Sequence, residues 1–212
     1  MNEDLESIKG LAAKGDIKSM YKLGEMYLAG TGVEKNHAKG LEWMEKAANA
    51  GYDKAMRVTG SMYAVGEGVE KNTQKGLEWL EKAAEAGNSL AMFTVGWMYE
   101  GGNGVARDPA MAFQWYEKAA AAGYPAAMMS LGMMYSLGEG TGKDQKKACQ
   151  WYEKGAAAGN IPAMFSLGFM LEHGKGVEAD SKKAREWYEK AAARMYPEAV
   201  LALKRMDAVG GK

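Results

Sequence analysis

Residues 30–52, GTGVEKNHAKGLEWMEKAANAGY, superpose on residues 66–88, GEGVEKNTQKGLEWLEKAAEAGN, and on residues 102–124, GNGVARDPAMAFQWYEKAAAAGY, at a constant offset of 36 residues without a gap. Two more copies follow, GEGTGKDQKKACQWYEKGAAAGN and GKGVEADSKKAREWYEKAAARMY, giving five whole units from about Asp16 to Met195. A fixed period of this length is the mark of stacked supersecondary units, none of which buries its apolar face alone.

Within a unit, Met20, Leu23, Gly24 and Tyr27 share the three-and-four spacing of one helix face, as do Met128, Leu131, Gly132 and Tyr135. That spacing predicts a first helix, A. It stops at a G-x-G turn such as Gly66 and Gly68, where glycine supplies the positive φ of a tight exit. A second helix, B, is expected behind Asn36, Asn72, Asp108, Asp144 and Asp180, whose side-chain oxygens suit free first-turn amides, with Pro109 at the first helical position. Gly51, Gly87, Gly123 and Gly159 close helix B, and Met195 in their place predicts a final turn of different shape.

Lysine plus arginine and aspartate plus glutamate both number 27, so there is no excess of positive charge to neutralise phosphates or an anionic bilayer. Nucleic acid is not an expected partner. No apolar run approaches the roughly 20 residues of a spanning helix, so no membrane insertion is expected. The start, MNEDLESIKG, lacks the basic, apolar and small-residue order of a secretory signal. With Cys149 as the single cysteine, these features predict a cytoplasmic protein; a periplasmic or secreted one requires that a leader has been removed.

These residues resemble the Sel1-like repeat family, a relative of the tetratricopeptide repeat. The likeness is carried by the small residue, Leu-Gly and Tyr of helix A (Ala127, Leu131, Gly132, Tyr135), by the G-x-G-V turn, and by the W-Y-E-K-A-A of helix B. Departures are modest: Thr59 and Val95 replace the Leu, Leu171 the Tyr, and Thr141 the Val. The resemblance implies an all-α fold, a right-handed α-solenoid of antiparallel helix pairs with A helices on the concave side and B helices on the convex side. It also implies a scaffold that binds other proteins, because the family is not defined by a catalytic residue.

The ends read as half-repeat caps. Residues 1–15 align with helix B but carry Ser7 where the units have Trp, and residues 196–212 align with helix A but carry Lys204 where they have Gly. Polar substitution suits a terminal half-unit whose outer face has no neighbour. A single domain, residues 1–212, of about twelve helices is the expectation.

Internal repetition separates packing residues from spare ones. Trp43, Trp79, Trp115, Trp151 and Trp187 occupy one place in every helix B and are assigned to the core. Eleven of the 17 methionines fall in two helix A columns, such as Met20 and Met26, and are assigned to packing as well. Glu42 to Lys46, Glu78 to Lys82 and Glu186 to Lys190 read as ordinary i,i+4 surface pairs.

Trp97 is left over. Its column reads Glu25, Ser61, Trp97, Met133, Phe169, and the column one turn earlier reads Tyr21, Arg57, Phe93, Met129, Phe165. A fold that accepts Glu25, Ser61 and Arg57 there does not require burial. In related helical repeats these columns face the concave groove, so Tyr21, Arg57, Phe93, Trp97, Met129, Met133, Phe165 and Phe169 are the expected partner-binding residues. For the Phe93 column, packing between adjacent A helices is an equally open alternative. Lys18, Glu25, Lys54, Glu100 and Glu172 are expected to form a charged rim. Aromatic side chains bring about 150–250 Å² each, so the stripe would exceed what a monomer normally exposes; a monomer or a weak homodimer is compatible with that.

No catalytic constellation survives comparison with the repeat. Ser19 and Lys22 match S-x-x-K, yet Ser19 aligns with Ala55, Ala91, Ala127 and Ala163 in a small-residue slot. GEGTGK, residues 138–143, lacks the Walker spacing and is followed by Asp144. His37 and His173 come from different repeat positions and have no companions at zinc-ligand spacing. Cys149 aligns with Leu41, Leu77 and Phe113, an apolar role. Neither cofactor nor metal is expected. The function that follows is a non-catalytic scaffold or adaptor holding a protein partner's peptide or helix in its groove. A specialised form is an inhibitor or immunity protein blocking a toxin or kinase; a cell-wall or β-lactam hydrolase rests on Ser19 and Lys22 alone.

Overall fold

Twelve helices and no strand occupy the residues, 2–210, that the computed structural model describes. The A helices are α2 (Ile17–Ala29), α4 (Asp53–Val65), α6 (Ser89–Gly101), α8 (Pro125–Leu137), α10 (Ile161–His173) and α12 (Pro197–Gly210). The B helices are α1 (Asn2–Ala13), α3 (His37–Asn49), α5 (Thr73–Glu85), α7 (Pro109–Ala121), α9 (Gln145–Ala157) and α11 (Ser181–Ala192). The chain forms two compact units, residues 1–107 and 108–212.

The helix starts follow the expected chemistry. Asn36, Asn72, Asp108, Asp144 and Asp180 each accept a hydrogen bond from a first-turn amide of the following B helix. Asp16, Asn88 and Asn160 do the same for A helices, whereas Tyr52 and Tyr124 occupy that position without a side-chain bond. Hydrogen bonds from Ser19, side chain first and backbone amide second, hold the Asp16 carboxyl below its ordinary range. Every A helix from α2 to α10 ends on a left-handed glycine whose amide returns to a carbonyl four residues back, as Gly66 does to Met62.

In the first unit, α2 packs on α3, α3 on α4, α4 on α5 and α5 on α6. Met44, Ala47 and Ala48 of α3 bury against Ala55 of α4, with Ile17, Met20, Tyr21, Tyr52 and Met56 closing around them. Small residues let the helices approach: a Cβ on Gly60 would lie 2.8 Å from the Gly76 carbonyl oxygen. In the second unit, α8 packs on α9, α9 on α10, α10 on α11 and α11 on α12. Tyr152, Leu167, Met170, Leu171 and Tyr188 fill that core around Ala148, Ala163, Ala184 and Ala199.

The second glycine of the G-x-G turn has a further purpose besides its φ. At Gly68 a Cβ would meet His37, and at Gly176 it would meet the Gln145 backbone, so each turn lies against the first residue of the preceding B helix. Loop and helix thus touch across the repeat boundary, and neighbouring repeats stay in register.

The final B-to-A turn keeps the shape of its predecessors, contrary to the expectation from Met195. Met195 adopts φ 61° where Gly51 has 92° and Gly159 has 87°. Its amide and that of Tyr196 bond to Ala192 and Ala191, as those of Gly51 and Tyr52 bond to Ala48 and Ala47. The cost is a left-handed conformation on a residue with a Cβ. We expect Met195→Gly to stabilise the chain by about 0.5–1 kcal/mol after allowing for glycine's unfolded-state entropy, read as a higher urea midpoint at unchanged slope.

Thr59 is a second local conflict. It takes the place of Leu23, Leu131 and Leu167, is fully buried, and its hydroxyl has no hydrogen-bond partner. Thr59→Val removes the orphaned group at nearly constant volume and should add about 1 kcal/mol, measured by the same unfolding experiment.

Candidate protein-interaction surface on the A helices

The exposed large apolar side chains within the repeats' helices all lie on A helices: Val65, Trp97, Met133 and Leu137. Among the described residues α3, α5, α7, α9 and α11 expose none. The cause on the B helices is a local device. Lys46, Lys82, Lys118, Lys154 and Lys190 place their ammonium groups over the rings of Trp43, Trp79, Trp115, Trp151 and Trp187, at 3.8–4.6 Å from the ring centres. Only Trp115 of the five is buried outright; the other four are half-buried rings, of which Trp79 and Trp187 pack against the core. Lys46 also reaches Glu42 at 2.7 Å, but the contact common to all five units is the i,i+3 cation over the indole.

In the first unit, Trp97 is 52% exposed. It lines an open cavity of about 530 Å³ together with Ser61, Val65, Lys71, Thr94 and Asn103. Ser61 is the residue of α4 in Trp97's own column, and its small side chain leaves the room that the indole borders. Tyr21 and Arg57 are half-buried. The Tyr21 ring packs edge-on against Tyr52 at 5.1 Å. Burial, and then its hydrogen bond to Glu25, push the Tyr21 phenol up to about 12. Arg57 and Lys54 line a shallow cavity of about 480 Å³ with Asp53, Asn88 and Leu90. Phe93 is half-buried.

In the second unit the two columns part. Phe165 packs against Tyr188 and Tyr196, both at 5.5 Å between ring centres. Met129 joins the same core, its sulfur 3.9 Å from the Ser166 hydroxyl. Both residues are half-buried and pack between helices, and Phe165 with Phe169 also borders an open cavity of about 190 Å³. Met133 and Leu137 are exposed. Phe169 is half-buried, stacked on His173 at 4.2 Å and lying under the Lys175 ammonium at 4.7 Å.

Lys18, Glu25 and Lys54 are exposed, as a rim requires. Glu100 is half-buried, and its carbonyl oxygen accepts from Arg107 Nε at 3.0 Å. Glu172 is not a rim residue in the sense expected: its side chain is 18% exposed and accepts from the Tyr188 hydroxyl and from Arg205. It ties α10 to α11 and α12. Burial first and the Glu172 bond second push the Tyr188 phenol well up.

Ser19 is buried in the small-residue slot at the start of α2, and Cys149 is buried, which pushes its thiol up. Among the described residues no three His, Cys, Asp or Glu side chains gather as a metal site. No described helix is long and apolar enough to cross a membrane.

A model of the Sel1 repeat matches residues 17–52, 53–88, 89–124, 125–160 and 161–194. The chain belongs to the Sel1 repeat family. Its Sel1 repeats form an all-α repeat solenoid similar to c5321, a protective antigen of uropathogenic Escherichia coli with a Sel1-like repeat fold: 32% identity, TM-score 0.92, covering 96% of this chain and 44% of that one. The chain thus spans less than half of that relative's length. A Sel1 repeat protein from Oxalobacter formigenes is similar over 92% of this chain and 86% of that chain, with 34% identity and a TM-score of 0.81. The immunity protein Pa5087 from Pseudomonas aeruginosa shares the fold, with 24% identity, a TM-score of 0.55, and 86% and 67% of the two chains covered. Among curated proteins none matches.

In these Sel1 repeats the exposed face extends one helical turn beyond the Trp97 column. Val65 and Leu137 belong to a column that reads Ala29, Val65, Gly101, Leu137, His173, the last residue of each A helix before its capping glycine. The irregularity of that column was the available signal, and its place beside the turn hid it. Lys71, in the turn itself, stands in a basic column with Lys35, Arg107 and Lys143, and that regularity gives no reason to single it out. The tie through Glu172 makes a direct test of the rim correction. Glu172→Ala should lower stability by about 1–2 kcal/mol by stranding the Tyr188 hydroxyl, whereas Glu25→Ala should stay within about 0.5 kcal/mol, both measured by chemical unfolding.

Proposed function

We propose that this Sel1 repeat protein is a non-catalytic scaffold whose A-helix face holds a peptide or helix of a protein partner. The observation that carries this reading is the segregation of exposed apolar side chains within the five repeats. Val65, Trp97, Met133 and Leu137 lie open on A helices, while every B-helix tryptophan is covered by its own lysine. An open indole bordering a cavity is the kind of anchor on which peptide-binding surfaces concentrate their affinity. Flexible methionine beside it adapts to the shape of a guest.

The charged residues Lys18, Glu25 and Lys54 contribute to orientation and association rate more than to affinity. The lone buried thiol of Cys149 fits a reducing compartment such as the cytoplasm. Ser19 argues against the hydrolase alternative, being enclosed in a packing slot and hydrogen-bonded to Asp16. An inhibitor or immunity protein is a special case of the same binding event, with a partner's active site as the guest. The immunity protein of similar fold lends it shared architecture alone.

Immobilised protein used for capture from its source cells tests the proposal. A partner retained by the wild type should be weakened about 30-fold by Trp97→Ala, the scale of a single anchor residue, with far-UV helicity unchanged. A partner retained equally by the wild type, Trp97→Ala and Leu137→Ser would remove the A-helix face from function.

A further inference from the structure

The cavity beside Trp97 has a chemical asymmetry that specifies its guest more closely than the scaffold reading does, on which this inference rests. One wall is apolar, made by the indole of Trp97 with Val65 and Ala64. Leu80 and Met98 add to the apolar lining, Ser61, Thr73, Thr94 and Asn103 are neutral and polar, Lys71 is the one charged residue, and no carboxylate lines the cavity. Lys71 is rooted next to the end of α4: a Cβ on Gly66, the residue after Val65, would lie 3.0 Å from Lys71 Cβ. Its ammonium has no ion-pair partner among the described residues. Glu67, in the same turn, lies 2.8 Å from His37. Thr94 spends its hydroxyl proton on the Leu90 carbonyl at 2.7 Å, and Lys71 is the one cationic donor among the residues lining the cavity.

A space of about 530 Å³ falls within the range of small-ligand pockets, roughly 300–1,000 Å³, and is roomy for one or two bulky side chains. Lys71 is exposed, so water still solvates its ammonium beside an apolar guest, whereas an acidic guest gains a charge contact with it and a basic guest is repelled. We propose that this cavity takes a short acidic peptide segment in which a bulky apolar side chain stands next to a carboxylate. The apolar group lies on Trp97 and Val65, and the carboxylate meets the Lys71 ammonium. The charge contact selects among partners, while the indole supplies most of the affinity.

Three fluorescein-labelled peptides test this by fluorescence anisotropy at low ionic strength: Ser-Glu-Leu-Phe-Glu-Ser and its counterparts with glutamine or lysine in place of both glutamates. The glutamate peptide should bind the wild type about tenfold more tightly than the lysine peptide. Lys71→Glu should invert that order with helicity unchanged, and Trp97→Ala should weaken every peptide that binds by about 30-fold. Equal binding of the three peptides, or an order that Lys71→Glu leaves intact, overturns the acidic guest; if Trp97→Ala still weakens them, the scaffold reading stands. If none of the three binds the wild type while a partner is captured through Trp97, the guest class alone is wrong. If neither peptides nor a partner depend on Trp97, both readings fall.

Discussion

Close crossing of helices at alanine and glycine is the constraint on which this structure depends. Ala55, Ala91, Ala127, Ala163 and Ala199 are completely buried at one place in successive A helices, and Ala47, Ala83, Ala119 and Ala191 at one place in the B helices. Where two backbones meet this closely, dispersion and burial are gained along a line of small contacts, and a single added methyl group must displace a neighbour. That accounts for Ser19 in the same slot: a hydroxyl tolerated for its size, with a hydrogen bond to Asp16, and not a nucleophile.

Once backbones are pinned at the small residues, larger side chains fill what the crossing leaves open. Met62, Met98, Met134 and Met170 are buried at one repeating position, where an unbranched thioether adapts to gaps that differ slightly from repeat to repeat. Tyrosine joins the same core while its hydroxyl finds a partner. Tyr63 donates to Glu45 at 2.7 Å and accepts from Lys75, and Tyr188 donates to Glu172 at 2.8 Å. The Tyr63–Glu45 tie joins helices of neighbouring repeats and the Tyr188–Glu172 tie the two helices of one repeat, so a carboxylate such as Glu172, expected at the rim from the sequence, is part of the packing.

The two faces of each unit follow from different rules. On the B helices a lysine three residues after each tryptophan covers the ring, so the repeating aromatic does not present an adhesive surface. On the A helices nothing among the described residues plays that part at the positions of Val65, Trp97, Met133 and Leu137. Within the first unit, the exchange of a large side chain for Ser61 beside Trp97 turns an exposed residue into the wall of a cavity. Function of this kind belongs to residues the fold does not need, and the repeat identifies them by comparison with itself.

Much of this was readable from the chain. The period, the helix pair within it, the capping residues behind each helix B and the spare Trp97 are local or repeated features. Each depends on spacing of 3.6 residues per turn, on side-chain oxygens matching free amides, or on one unit differing from the rest. What the sequence did not yield depends on distance between segments. Phe93, Met129 and Phe165 share a column with Arg57 and look alike on paper, yet Phe165 is taken up by Tyr188 and Tyr196, which come from α11 and the turn before α12. Val65 and Lys71 are six residues apart across a turn, and only the folded turn sets them on one cavity. The sequence by itself therefore determined the repeat, its helices and their caps, because those obey periodicity and near-neighbour hydrogen bonding. The tertiary structure decided which spare side chains stay open, because exposure is set by what other helices bring to the same place.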